Sequence, residues 1–330
     1  MPTLTGNRAM YQGCHTALLT PFSTEGDPLE FPIKYDVMEQ LIDRAFAPDA
    51  TKGNGYRGVD GIVIAGCTGS ASVMEIDEQV ELARRSKEYV DRHHPGKIVI
   101  AGDGSNSTKE AKTFARAMEV SAGIVNHLSI APYVNKPSDY GLIRHYELLA
   151  DAISGNIIMY SVPGRTGGKG IVPRVAAQLA QHPRIIGIKE ASGNMDTIKE
   201  IIDSTGDYDF FLTSGDDDKA VDTIRLGGVG VISVISNVVP EDTTLMVHKA
   251  LSGEYTGADA IRSRLGRLNG ALFPKSKGNA SPNPVMCHYA LRSLGIPVGY
   301  PRLPLTDGAD DEKREMIGAL TELGLIKDSA

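Results

Sequence analysis

The sequence predicts a closed parallel (β/α)8 barrel followed by a C-terminal helical appendage. Three observations predict it. Short segments rich in isoleucine and valine recur eight times, stretches of helix length separate them, and the strand segments carry little polar alternation. Strands of that composition suit a parallel sheet buried on both faces. Eight of them, each with room for a helix before the next, read as a closed barrel. An open doubly wound sheet is the competing architecture. It expects a G-x-G-x-x-G turn after its first strand, where this chain runs into Thr20-Pro21-Phe22.

The expected strands are, in order, residues 13–19, 59–65, 97–101, 123–130, 156–160, 185–189, 208–212 and 228–234. Helical patterns near 33–47, 77–91, 107–121, 139–151, 171–181, 194–204 and 217–226 lie between them. Residues 239–253 then serve as the eighth barrel helix. Further helical stretches at 254–273, 283–295 and 311–326 form the appendage, so a barrel domain is expected over 1–252 and a helical region over 253–330. Residues 47–58, rich in glycine and polar side chains, read as a surface loop at the end of the barrel devoted to stability.

Composition narrows the function. The 330 residues carry 34 Lys plus Arg against 41 Asp plus Glu, a formal charge of -7, and 41% are hydrophobic. That is ordinary globular usage, and the absence of a basic stripe argues against nucleic acid as a partner. The three cysteines, Cys14, Cys67 and Cys287, lie far apart without a CxxC, which suits neither a disulfide framework nor a cysteine-rich zinc site. No apolar run reaches the ~20 residues that span a bilayer, and residues 1–12 lack a signal-peptide core, so a cytoplasmic protein is expected.

A barrel builds its site from the C-terminal ends of its strands. Those ends offer Thr16 and Thr20, the turn Gly66-Cys67-Thr68-Gly69-Ser70, Asp103, Pro132 to Asn135, Tyr160 to Arg165, Lys189-Glu190, Ser214 to Asp217, and then Ser233 and Asn237. Lys189 is the decisive residue. Ending the apolar strand IIGIK, its amine can be desolvated, which lowers its pKa and frees it to attack a carbonyl. A lysine reaching from the strand end to water, or pairing with Glu190, is the alternative. Tyr160 ends the preceding strand, where a phenol can pass protons or an aromatic can simply seal the barrel top. Arg165, on the stiff VPGRTGG loop, can clamp a carboxylate or sit on the surface. The GCTGS turn can offer N–H groups and a hydroxyl to a carboxylate, or cap a helix. Asp216, Asp217 and Asp218 admit magnesium, though a cap for the following helix is the preferred reading. His93 and His94 read as solvated, His15 and His127 as packed within strands.

Taken together, TALLTPF (16–22), GCTGS (66–70), APYVNKPS (131–138), YSVPGRTG (160–167), GIKEASGN (187–194), SGDDD (214–218), GGVGVISVISN (227–237) and PRLPL (301–305) resemble the dihydrodipicolinate synthase / N-acetylneuraminate lyase family of class I aldolases. The matches run in family order along nearly the whole chain. The resemblance implies a barrel with a C-terminal helical region and a covalent imine between pyruvate and Lys189, with no metal or organic cofactor. It also implies Tyr160 as the proton-relay phenol and Thr68 with Gly69 as the pyruvate carboxylate site. Main-chain groups of Gly215 and Ile232 would line the same pocket. YSVPGRTG is closest to the synthase branch, in which the loop arginine, here Arg165, holds the carboxylate of L-aspartate-4-semialdehyde in a step of lysine biosynthesis.

The chain departs from that branch at Cys67 and Ser70, where GTTGE is usual, and at Val134, where a second tyrosine follows Tyr133. That tyrosine usually enters a neighbouring subunit's site to complete a Thr-Tyr-Tyr relay. Cys67 therefore takes a catalytic relay position as a weaker donor, and valine cannot relay at all. A homodimer or homotetramer is implied, with Tyr133 and Val134 near its interface. Asn106, Glu110 and Tyr133 fit the pattern of a lysine-feedback site in some relatives, whereas Ala71, Ile76 and Gln79 do not. Alternative readings are a pyruvate-dependent aldolase acting on a sugar acid or another 2-oxo acid, a phosphate-binding isomerase, and a non-catalytic barrel with an assembly or regulatory role.

Overall fold

The computed structural model describes residues 6–47, 58–275 and 280–327. Its eight strands are β1 (Gly13–Ala17), β2 (Gly61–Ile64), β3 (Ile98–Gly102), β4 (Asn126–Ile130), β5 (Asn156–Ser161), β6 (Ile185–Glu190), β7 (Phe211–Ser214) and β8 (Gly230–Ser233). They pair in parallel in chain order, and β8 returns to β1 with Gly13 opposite Gly230 and His15 opposite Ile232. The helices described are α1 (Gly6–Met10), α2 (Tyr35–Phe46), α3 (Ile76–His93), α4 (Thr108–Ala122), α5 (Asp139–Ala150), α6 (Pro173–Leu179), α7 (Met195–Ser204), α8 (Ala220–Arg225), α9 (Pro240–Leu251), α10 (Tyr255–Leu272), α11 (Val285–Ser293) and α12 (Asp310–Glu322). The predicted barrel with a helical extension is the fold observed. None of these helices is long and apolar enough to cross a membrane.

Strand boundaries shift where turns compete for the chain. β4 starts at Asn126 rather than 123, because Gly123 closes α4 with a φ of 67°. β7 starts at Phe211 rather than 208, because the preceding turn is held by the N-terminal segment. Arg8 Nε donates to Phe210 O at 2.9 Å, and the Asn7 amide donates to the Asp209 carboxylate at 2.9 Å. The short α1 that supplies these contacts was not expected from the sequence. The expected loop at 47–58 falls at 48–57 outside the described residues.

Alternation along each strand divides the side chains between two environments. Ala17, Val63, Ile100, Leu128, Ile158, Tyr160, Phe211 and Ile232 fill the barrel interior, while Cys14, Ile62, Ile64, Val99 and Val231 pack outward. The appendage shares that outer core, since Leu268, Val285 and Met316 belong to it. Arg302 of the PRLPL stretch pins the appendage to the barrel. Its guanidinium bonds Phe31 O at 2.8 Å and Glu78 Oε1 at 2.7 Å.

Tyr11 forms the barrel floor. It is 2% exposed, stacks on Phe211 with ring centroids 4.8 Å apart, and donates its hydroxyl to Asn126. Removing a buried aromatic of this kind costs about 3–5 kcal/mol. Tyr11→Ala should lower unfolding free energy by about that amount in denaturant titration, and a loss below 1 kcal/mol would contradict its place under the core.

Candidate active site

A break in strand register aims the key lysine. Ile157 of β5 pairs with Ile185, yet the next residue, Ile158, pairs with Gly187, so β6 carries one extra residue. Ile185 and Ile188 both pack outward, and Ile186 packs in the interior. Strict alternation from Ile185 would turn residue 189 outward; the bulge reverses the phase and turns it inward. The site also requires glycine at 187, where a Cβ would lie 2.6 Å from the Phe211 ring. Tyr160 sits opposite Lys189 in the β5–β6 register.

Lys189 is 5% exposed, and its Nζ lies 4.5 Å from the centre of the Tyr160 ring. It forms no ion pair among the described residues and Glu190 faces elsewhere, its Oε1 accepting from the Ser192 amide at 2.6 Å. The alternatives of a lysine extended to water or paired with Glu190 therefore fail. Burial pulls the Lys189 pKa below its ordinary 10.5, against the opposing pull of Cys67, Asp216 and Asp217. Burial likewise pushes the Tyr160 phenol well above 10, and the neighbouring Cys67 thiol adds to the rise. Gly215 closes over the amine: a Cβ there would lie 3.1 Å from Lys189 Cε and 2.5 Å from Ala191 Cβ.

These groups line a cavity of 670 Å³ at the barrel mouth, with Cys67, Thr68, Tyr160, Arg165, Lys189, Gly215, Asp216 and Asn283 on its wall. The volume suits two small substrates together. Thr68 is buried and accepts a hydrogen bond from Asn283 Nδ2 at 3.0 Å. Gly69 lies behind the wall, its carbonyl accepting from Thr20 Oγ1 at 2.6 Å. Ser70 starts the following short turn with a φ of 59° and makes no side-chain cap, so the helix-capping reading of GCTGS does not apply. Arg165 is exposed at the rim, and its Nη2 donates to Asn283 O at 3.1 Å.

Several residues singled out in the sequence stand elsewhere. Ile232 packs in the barrel interior, and Val234 supplies the cavity wall from the β8 end. Asp217 caps no helix through its side chain; its Oδ2 accepts from the Val234 and Ile235 amides at 2.9 and 3.0 Å, which braces the end of β8. Among the described residues no group of three or more His, Cys, Asp and Glu is placed to hold a metal ion. Asp216 stays at the cavity wall, its pKa pushed up to about 6 chiefly by burial. Asp103 is buried away from the cavity, accepting from Ser129 Oγ at 2.6 Å and paired with His127. Thr16 and Asn237 are also structural. Thr16 accepts from Ser236 Oγ at 2.9 Å, and Asn237 accepts from the Leu19 amide at 3.0 Å. His15 is packed as expected, with its pKa lowered to about 4 by burial, whereas His94, expected in solvent, bonds Asp43 Oδ1 at 2.7 Å.

A second cavity of 490 Å³ adjoins the first and shares Cys67, Arg165 and Asn283 with it. Of the side chains compared with a feedback site, Ala71, Ile76, Gln79, Glu110 and Tyr133 line it, while Asn106 is not on its wall. Val134 stands at the tip of the β4 loop, 76% exposed and with a φ of 66°, a strained conformation for a β-branched residue. Asn283 and Val234 were missed in the sequence. Asn283 lies far along the chain in a Pro-rich turn, and nothing local to that turn tells of the barrel mouth.

Residues 10–323 match the dihydrodipicolinate synthetase family. The chain is 35% identical over 318 residues to the 4-hydroxy-tetrahydrodipicolinate synthase of Pseudoalteromonas atlantica, covering 96% of this chain and all of that protein. It is 39% identical over 313 residues to the enzyme of the same name from Haloarcula marismortui, covering 94% of each. The solved structure of the dihydrodipicolinate synthase from Cyanidioschyzon merolae with lysine bound superposes with a TM-score of 0.84 at 33% identity, over 96% of this chain and 99% of that one.

The burial of Lys189 predicts its titration. Nitrogen-15 NMR of the lysine side chains should give Lys189 a midpoint below 10.5, and a midpoint at or above that value would contradict the burial. Gly187→Ala, with no room for its methyl beside Phe211, should destabilise the fold by about 1–3 kcal/mol and displace the Lys189 resonance.

Proposed function

The chain belongs to the dihydrodipicolinate synthetase family, and from that premise we propose that it condenses pyruvate with L-aspartate-4-semialdehyde through a covalent lysine imine, the activity of a 4-hydroxy-tetrahydrodipicolinate synthase. The observation that carries this reading is a desolvated Lys189 amine held against Tyr160, with Thr68 and the Arg165 rim sharing one cavity.

The lowered pKa makes the neutral amine of Lys189 available for attack on the pyruvate keto carbon. Tyr160 returns a proton to the carbinolamine oxygen, which leaves as water and yields the imine. Thr68 and the adjoining turn hold the pyruvate carboxylate. Loss of a methyl proton gives the enamine, whose carbon adds to the aldehyde while Arg165 holds the second substrate's carboxylate. The substrate's own amine then attacks the imine carbon and releases Lys189. Cys67, beside Tyr160, takes the relay position next to the phenol. We further propose a homodimer or homotetramer, supported by the exposed apolar Val134 at the tip of the β4 loop beside half-buried Tyr133.

Borohydride reduction with pyruvate should add a three-carbon adduct to Lys189 alone, read by peptide mass spectrometry, and an unmodified Lys189 under saturating pyruvate would overturn the imine. Arg165→Ala should keep that adduct yet lower kcat/KM for the semialdehyde roughly 10- to 100-fold, the cost of a charge-assisted contact. Equal loss of both steps would place the arginine in the pyruvate half instead. Sedimentation should give a mass above that of the 35.3 kDa chain; a monomer at micromolar concentration would refute the assembly.

A further inference from the structure

The appendage enters the site at one point. The turn before α11 carries Asn283 into the wall between the two cavities, 215 residues along the chain from Thr68. Its side chain and main chain make different contacts there. Nδ2 donates to Thr68 Oγ1 at 3.0 Å, and the carbonyl oxygen accepts from Arg165 Nη2 at 3.1 Å. The turn itself is anchored from α12, where the buried Glu312 accepts from the Ser281 amide at 2.9 Å and from Ser281 Oγ at 2.5 Å.

A threonine hydroxyl has one proton to give and lone pairs to receive. With a lone pair of Thr68 committed to Asn283, the hydroxyl proton is free to point into the cavity, since no acceptor for it occurs among the described residues. The hydroxyl is thus oriented as a donor before any ligand arrives. Arg165 spends one N–H on the Asn283 carbonyl and retains the others for a ligand.

We infer that Asn283 is a positioning residue that orients Thr68 as a donor to the keto acid's carboxylate and tethers Arg165 beside it, so that the helical appendage sets the alignment of the two substrate half-sites. This rests on the pyruvate–aldehyde reading above. The two contacts are separable. A side-chain substitution removes the bond to Thr68 and leaves the carbonyl that holds Arg165.

The test is a double-mutant cycle in the full-length protein, with steady-state kinetics for each substrate and borohydride trapping in parallel. Asn283→Ala should raise the KM for pyruvate about tenfold and move the KM for the semialdehyde less than threefold. Asn283→Asp should be worse than alanine, because its carboxylate accepts the Thr68 proton and repels the incoming anion. In a Thr68→Val background, Asn283→Ala should add less than a twofold change. If Asn283→Ala does not accumulate as folded protein, Asn283→Ser, which is polar but too short to reach, is held to the same criteria. Additive effects of the two substitutions, a tolerated aspartate, or equal shifts in both KM values would each overturn the inference. Failure of wild-type trapping would instead strike the imine reading, and so the two failures are told apart.

Discussion

Burying an unpaired amine inside the barrel mouth is the constraint on which this site depends. An ammonium without a counter-ion is costly in a dry interior, and the group answers by giving up its proton more readily. That response is the one imine chemistry needs. The surroundings are built to hold it: the β6 bulge reverses the strand's phase, Gly187 yields its volume to Phe211, and Tyr11 backs Phe211 from the floor. Beside it, Gly215 sits so close to Ala191, and next to Lys189, that a side chain there would clash. The arrangement links stability to pH. Between the lowered folded pKa and the ordinary 10.5, the unfolded chain binds the extra proton, so this lysine makes folding more favourable as pH rises through that window.

Much of this was legible in the sequence because it is local. Apolar strands with helix-length spacing give the barrel, and a lysine ending IIGIK after a tyrosine ending NIIMY gives the two central groups. The direction of Lys189 was not legible, since a bulge is a property of two strands and no residue of β6 alone declares it. For the same reason the polar residues at strand ends looked alike. Asp103, Thr16 and Asn237 turned out to satisfy buried partners, whereas Asp216 and Thr68 face the cavity. A cap for the following helix was expected from one of Asp216 to Asp218, yet the Asp217 carboxylate takes the Val234 and Ile235 amides of the turn just past β8. α1 escaped notice because its contacts are to the turn before β7, some two hundred residues away.

The appendage is equally a matter of long-range contact. Its core merges with the outer layer of the barrel, and Arg302 fastens it to α3 through Glu78 and to the chain before α2 through Phe31. A segment fixed at several points over a barrel mouth can hold a side chain there with little freedom, which is what alignment of two substrates requires. The barrel supplies Lys189, and the appendage adds Asn283 to the wall of the same cavity.

The departures at Cys67 and Val134 then acquire different physical weight. Cys67 keeps its place: it neighbours Tyr160 and lines both cavities, where the proposed relay would pass. A thiol there is a weaker hydrogen-bond partner than a hydroxyl, yet the phenol it meets is itself held firmly protonated by burial. Tyr160 is therefore held as a donor, the form that the proposed carbinolamine dehydration would use first. Val134 keeps only the backbone strain of its loop and can contribute contact area but no proton. In the proposed mechanism Tyr160 keeps the donor next to Lys189, while Val134 leaves the outer end of the relay without a proton carrier.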